Sequence, residues 1–399
     1  MFSNRNLYKN IPNNYIFTFL SNLNLTHGLW MIYLATKGMS LVELGMLEGI
    51  FHITSFLMEV PTGLIADLYG RKTSRTLGRI LAIFSIALLL LSNSFLYFAL
   101  SFILIALSYN LESGAGEALI YDSLKELKME KDYMKICGRQ EVAFQLGQII
   151  AFLLGGYLAT ISYKYVFYLT IFFILLTIIQ SFMFIEPNFE KEDISNKKVK
   201  QVLVTQISQS ASVLKNNRKI GFFIIFTQVI LSFGTSLFFY LQNFWISNGH
   251  TEFFIGVIFS VSAIFEGLTG ALTYKLEKII KERGILMIMP FIAVICIWFI
   301  AISKYSFIFY ILLAGVENFI FVAMSDYINK LIPSKNRATI LSLASMVFSF
   351  FMIFIFPLIG KIGDIYSLKL SFIVTAFIAS IFAIGNLVFL LKLEKKKTA

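Results

Sequence analysis

The chain has 399 residues, 57% of them apolar and only 14% charged, with a mean hydropathy of +0.77 and 43 phenylalanines. About a quarter of the residues in a soluble domain are charged, so this composition excludes an ordinary water-soluble enzyme and a disordered chain alike. The net charge of +11 invites a nucleic-acid reading, which the placement of the cations along the chain argues against.

Residues 1–14 are polar, carry Arg5 and Lys9, and run into an apolar segment with no small-residue cleavage site, so no cleaved signal peptide is expected. Apolar segments of the roughly 20 residues needed to cross a bilayer then recur at 14–36, 40–66, 76–94, 96–122, 138–161, 165–185, 219–247, 252–275, 285–303, 306–328, 338–362 and 369–391. Helix is the expected conformation of each, because hydrocarbon offers no partner to an open strand edge. The longest polar stretch, Glu186 to Lys219, separates six spans from six. The chain is therefore divided into an N-terminal bundle 1–186, a cytoplasmic linker 187–218 and a C-terminal bundle 219–399.

Of the 34 Lys and Arg, all but Lys37, Lys164, Lys304, Lys361 and Lys369 fall on the side of the spans that holds the N-terminus. The positive-inside rule then places both termini in the cytoplasm. The basic charge reflects topology and contact with anionic lipid, and no nucleic-acid partner is expected. Cys137 and Cys296 lie in different apolar segments, and the histidines His27, His52 and His250 are scattered, so neither a disulfide nor a metal site is suggested. There is no G-x4-G-K-[ST] phosphate loop to supply ATP drive and no nucleophile–base constellation. No cofactor and no enzymatic activity are expected.

Between the second and third spans the chain reads Glu59-Val-Pro-Thr-Gly-Leu-Ile-Ala-Asp-Leu-Tyr-Gly-Arg-Lys72. Gly63 and Gly70 permit close backbone approach, Asp67 sits at a helix end, and Arg71 and Lys72 suit an anchor at the cytoplasmic face. This G-x3-D-x2-G-R-K run resembles the loop between helices two and three of major facilitator superfamily transporters. The resemblance implies an all-α integral membrane fold of twelve transmembrane helices in two pseudo-symmetric six-helix bundles. It also implies alternating access, a substrate site near the bilayer midplane, monomeric function, and a loop that helps hold the outward-facing state. The upstream extension through Glu59 and Pro61 is similar to the clostridial tetracycline-efflux branch.

In the fifth span Gly138, Gly147, Gly155 and Gly156 resemble the glycine signature of drug/proton antiporters. Ala151-Phe152 replaces its Gly-Pro pair, removing the kink that proline imposes; glycine is also common in membrane helix packing generally. The R-x-x-Q-G signature of the fourth span is missing, with Asn110 and Ser113 at the Arg and Gln positions. Any proton coupling must use other groups.

Ionisable residues in hydrocarbon are costly and are functional candidates by default. Glu48 and His52 are four apart and share a helix face; such a pair can exchange a proton near neutral pH. Glu112, Glu266 and Glu317 lie deep in spans four, eight and ten, where few internal cations are expected. The resemblance places spans one, four, seven and ten around a central cavity, which would put Glu112 and Glu317 opposite each other there, with Asn22, Asn24 and His27 adding polar groups.

Glu59, Glu117, Asp122 and Asp326 lie near span ends and read as structural partners of loop Arg and Lys. The aromatic content suits an apolar cavity and a lipophilic substrate, while Trp30, Tyr33 and Trp245 read as interface anchors. The leading expectation is a proton-coupled exporter of lipophilic drugs, tetracycline-like or multidrug, in a bacterial plasma membrane. The alternative is a symporter or facilitator for a nutrient such as a sugar, peptide or nucleoside.

Overall fold

A computed structural model describes residues 7–187, 217–332 and 337–398; the linker expected at 187–218 lies almost wholly outside the described residues. The helices are α1 (Asn10–Ser21), α2 (Trp30–Thr36), α3 (Leu41–Tyr69), α4 (Arg71–Leu91), α5 (Phe95–Glu126), α6 (Tyr133–Ile161), α7 (Tyr163–Ser181), α8 (Arg218–Ser247), α9 (Glu252–Met287), α10 (Met289–Ile302), α11 (Ser306–Leu331), α12 (Arg337–Ile365) and α13 (Leu368–Thr398). There are no strands among the described residues. Among the described residues, ten helices are long and apolar enough to cross a membrane. The ninth span is the short apolar α10, and the first is broken into α1 and α2, so the fold is the expected all-helical one of twelve spans. Within α9 the helix is kinked at Lys281, whose φ of 58° is non-helical.

The chain falls into two compact units. The first comprises α1, α3 from Ile50 onward and α4–α7; the second comprises α2 from Met31, the first turns of α3 as far as Gly49, and α8–α13. In the first unit α4 lies close against α5 because small residues line the contact. Ser74 donates to the Leu111 carbonyl at 2.7 Å, and the Ser85 and Ser101 hydroxyls meet at 2.9 Å.

Glycines of α6 bring that helix equally close to the first span. A Cβ on Gly147 would sit 2.7 Å from the Phe19 carbonyl oxygen, and one on Gly155 2.7 Å from that of Leu25. Residues 22–29, between α1 and α2, form turns, with bonds such as His27 N–H to the Asn24 carbonyl and Leu29 N–H to the Thr26 carbonyl. The break in the first span therefore packs directly against α6.

In the second unit α3 opens on a capping box: the Ser40 N–H and hydroxyl donate to Glu43, whose own N–H donates to the Ser40 hydroxyl. The next two N–H groups, of Leu41 and Val42, donate to the two Asp364 oxygens at 2.9 and 2.8 Å. The Tyr240 hydroxyl donates to the Phe356 carbonyl at 2.7 Å. Trp245 is not an interface anchor: it is 1% exposed and its indole N–H donates to Ser306 at 2.9 Å. Trp30 and Tyr33 are likewise buried, Trp30 with its ring against Phe102 at 4.9 Å between centroids.

Gly155→Ala is expected to lower stability by about 1–3 kcal/mol, the cost of overpacking a tight contact, because the Leu25 backbone cannot yield as a side chain would. Gly138→Ala, at a position with open space around it, is expected to leave the thermal midpoint in detergent unchanged or slightly raised. Equal midpoints for the two variants would contradict the packing described.

Candidate transport site

The loop after α3 is held from within the first unit. Gly70 has a φ of +99°, a conformation that suits glycine, and this turn starts α4 with its first amides exposed. Glu186, far along the sequence, accepts from Arg71 N–H at 2.7 Å and Lys72 N–H at 2.9 Å, placing a carboxylate on the positive end of the helix. The Lys72 ammonium donates to the Phe182 carbonyl, and the Arg71 guanidinium reaches Asp122 at 2.9 Å. The close approach expected at Gly63 is absent, since a Cβ there would meet open space. Asp67 is exposed at the end of α3. Pro61 lies inside α3, and the Thr62 hydroxyl donates to the Met58 carbonyl beside it.

One turn further along α4, Arg75 is buried, 2% exposed. Its guanidinium donates to Glu112 through Nε at 3.0 and 3.1 Å and Nη2 at 2.8 Å, and to Asn14 through Nη1 at 3.0 Å. The planes of Phe17 and Phe184 lie 4.0 and 4.5 Å from its central carbon, a geometry favourable to a guanidinium. Glu112 was expected to lack an internal cation and has one. Charge counting had assigned Arg75 to the loop; the small residues around it, Ser74, Thr76 and Gly78, were the signal that this part of α4 lies inside the protein. Asn110, at the position of the missing arginine, ties α5 to α3 through paired bonds with Ser55, both 2.8 Å.

The other candidates divide between the units. Glu48 is buried in the second unit and His52, one turn on along α3, is buried in the first. Glu317 of α11 is 9% exposed, and its Oε1 has no hydrogen-bond partner. Its carboxyl occupies the space that Gly234 leaves, where a Cβ would overlap it. Beside it, Asn318 donates to the Glu266 main-chain carbonyl at 2.6 Å, tying α11 to α9.

Glu117 is exposed and lines a small cavity with Tyr133 and Cys137, and Asp326 pairs with Lys330 one turn away on its own helix. Of the span-five glycines, Gly147 and Gly155 make the close contacts described above, Gly156 is buried, and Gly138 faces open space. Asn22, Asn24 and His27 line one cavity of about 250 Å³ together with Gln148, which the sequence reading did not single out. No group of His, Cys, Asp and Glu suited to a metal is present among the described residues.

Removing one member of a buried ion pair typically costs about 3–5 kcal/mol, because the other charge is left uncompensated. Arg75→Ala is expected to reach that range, since it strands both Glu112 and Asn14. Glu112→Gln is expected to fall in the same range, because the glutamine still accepts from the guanidinium but leaves the charge of Arg75, only 2% exposed, without a counter-charge. Adding Glu112→Gln to Arg75→Ala should cost little more; fully additive losses in a thermal-unfolding double-mutant cycle would mean the pair does not act as a unit.

The family profile described as Major Facilitator Superfamily matches residues 14–316 and 247–399. An uncharacterized MFS-type transporter, YxaM of Bacillus subtilis (strain 168), is 25% identical over 357 residues, covering 87% of each chain. Another, MJ1560 of Methanocaldococcus jannaschii, is 25% identical over 279 residues, covering 68% of this chain and 70% of that one. Among solved structures, a D323A mutant of the nucleoside transporter NupG superposes with a TM-score of 0.75 at 14% identity, covering 96% of this chain and 99% of that one. A D-xylose-proton symporter gives a TM-score of 0.71 at 12% identity, with 96% and 97% covered. With its sequence matched from residue 14 to residue 399 and its twelve spans arranged in this fold, the chain belongs to the major facilitator superfamily of membrane transporters, and is not an enzyme.

Proposed function

We propose that the chain is a proton-coupled secondary transporter of a small solute, working by alternating access, with Glu317 as the residue that takes up and releases the proton. The observation that carries this reading is the setting of Glu317: a buried carboxyl with one unpartnered oxygen. An ionised carboxylate in hydrocarbon without a cation is costly. A position of this kind changes protonation whenever its exposure to water changes, which alternating access supplies. Glu112 is the contrasting case: Arg75 already neutralises it, so we assign the pair to holding α4 on α5 rather than to carrying protons.

The proposal extends to topology: two six-helix halves, 1–186 and 219–399, joined by a cytoplasmic linker, with both termini in the cytoplasm of a plasma membrane and one chain per transporter. For the solute, two readings divide. Export of lipophilic drugs is supported by the likeness of residues 59–72 and the span-five glycines to antiporters. Carriage of a polar metabolite is supported by the amide-lined cavity of the first unit and by the likeness of the fold to a nucleoside transporter and a D-xylose-proton symporter. We favour the metabolite, because the cavity consists of this chain's own groups whereas the glycines have a packing reason to be there.

The test uses inside-out vesicles with an acid interior, a dye reporting internal pH, and a panel of nucleosides, sugars, tetracycline and lipophilic cations. Some panel member should collapse the gradient in a protein-dependent way. Glu317→Gln should slow that collapse at least tenfold while leaving exchange of labelled solute across the membrane in place. Glu317→Gln that keeps both the rate and its pH dependence would remove Glu317 from the mechanism.

A further inference from the structure

We propose that the far end of α9 carries a site for one anionic phospholipid, with its acyl chains along an apolar stripe of the helix and its phosphate between Lys275 and Lys278. The site stands apart from the proton and solute readings above. Val261, Ile264, Leu268 and Leu272 are 43–56% exposed, and their spacing of three and four residues keeps them on one face of α9. On a helix that crosses the bilayer, such a face is covered by acyl chains. From Val261 to Leu272 the helix rises about 16 Å, close to the roughly 15 Å of hydrocarbon in one leaflet. The same exposed face continues at the same spacing through Lys275 and Ile279, with Tyr274 and Lys278 beside them. Its character changes from apolar to cationic within a single turn, as a phospholipid changes from acyl chain to phosphate.

The charges at this end call for an anion from outside the protein. Lys275, Lys278 and Lys281 are exposed and form no ion pair among the described residues. The carboxylates beside them are already engaged: Glu277 accepts from the Tyr327 hydroxyl of α11 at 2.6 Å, and Glu282 pairs with Lys219 of α8 at 2.7 Å. The Lys278 ammonium lies 4.1 Å from the centre of the Tyr274 ring, a cation–π contact, and an exposed tyrosine at a span end suits the headgroup layer. Ile279, among the lysines, is 78% exposed, a position suited to the boundary between headgroups and acyl chains. The kink at Lys281 ends the face, because Ile285 and Leu286 beyond it are buried. A phosphate diester supplies the missing negative charge. Anionic lipids are held in the cytoplasmic leaflet, where the proposed topology places this end of α9. A soluble phosphate or an acidic peptide would leave the apolar stripe unused, and a phospholipid covers both parts of the face.

The experiment counts lipids bound to the purified full-length protein by native mass spectrometry in a neutral detergent. The probes are phosphatidylglycerol, phosphatidylcholine and glycerol 3-phosphate, the last a headgroup without chains. One phosphatidylglycerol per chain is expected to bind saturably and more tightly than phosphatidylcholine, and added salt is expected to weaken it by screening. Lys275→Gln with Lys278→Gln is expected to weaken binding by roughly 10–30-fold, whereas Lys275→Arg with Lys278→Arg retains it. Lys125→Gln with Lys128→Gln, which removes two exposed cations at the end of α5, is expected to leave it unchanged. Equal retention of the two phospholipids overturns the assigned charge. Glycerol 3-phosphate bound as tightly as phosphatidylglycerol overturns the lipid in favour of a soluble anion. Equal losses in the two glutamine pairs show that net charge alone is read and overturn the site. Should the variants fail to fold, phosphatidylglycerol binding to the unmodified protein that is insensitive to salt overturns the proposal equally. Glu317→Gln is expected to leave lipid binding unchanged, so the lipid site and the proton reading fail separately.

Discussion

Hydrocarbon supplies neither hydrogen-bond partners nor counter-ions, so every charge and every interrupted helix within the spans must find its complement in the protein. The structure can be followed as a series of answers to that demand. Arg75 is enclosed by Glu112, Asn14 and two phenylalanine faces. The first amides of α4 and of α3 meet the carboxylates of Glu186 and Asp364, each within its own unit. The interrupted backbone of residues 22–29 is covered by α6, which comes close enough because it presents glycine.

Seen this way, the carboxylates sort by partner and not by residue type. Glu186 and Asp364 satisfy helix ends, Asp122 holds Arg71, and Glu112 compensates Arg75. Each has a fixed complement whose loss would strand something else. Glu317 has an orphan oxygen and a glycine at its back. A carboxyl whose hydrogen-bonding capacity is only partly met is better suited to changing charge than one held by a fixed cation.

The spans were legible in the sequence because bilayer thickness imposes a length on apolar runs, and the fold followed from their number and from the loop at 59–72. Depth was less legible. Arg75 read as a loop cation because it follows Arg71 and Lys72 closely, yet one helical turn is enough to carry it inside. Trp245 read as an anchor from its place near a span end, whereas its indole N–H had Ser306 to meet. The break in the first span could not be seen at all: residues 14–36 are apolar enough for one helix, and the glycines that pack against the break lie on α6, more than a hundred residues later. Glu186, Asp364 and Gln148 escaped notice for the same reason, since their roles are set by partners distant in sequence.

The glycines of α6 show how a motif and its cause can separate. Gly147 and Gly155 match an antiporter signature in register, which supports a reading as a drug exporter. In this structure, however, each has a sufficient local cause: a Cβ at either position would press on a main-chain carbonyl of the first span. The proline that would bend the helix in the signature is replaced here, and α6 runs unbroken from Tyr133 to Ile161. A glycine pattern kept by close packing carries information about which helices touch, and none about which ion is exchanged or which solute is bound. Those are decided by the groups that the close packing brings together, and at this contact they are amides, a hydroxyl and aromatic faces. The similarity to drug antiporters and the polar character of the cavity are therefore compatible: the first describes how the helices approach, the second what lies between them.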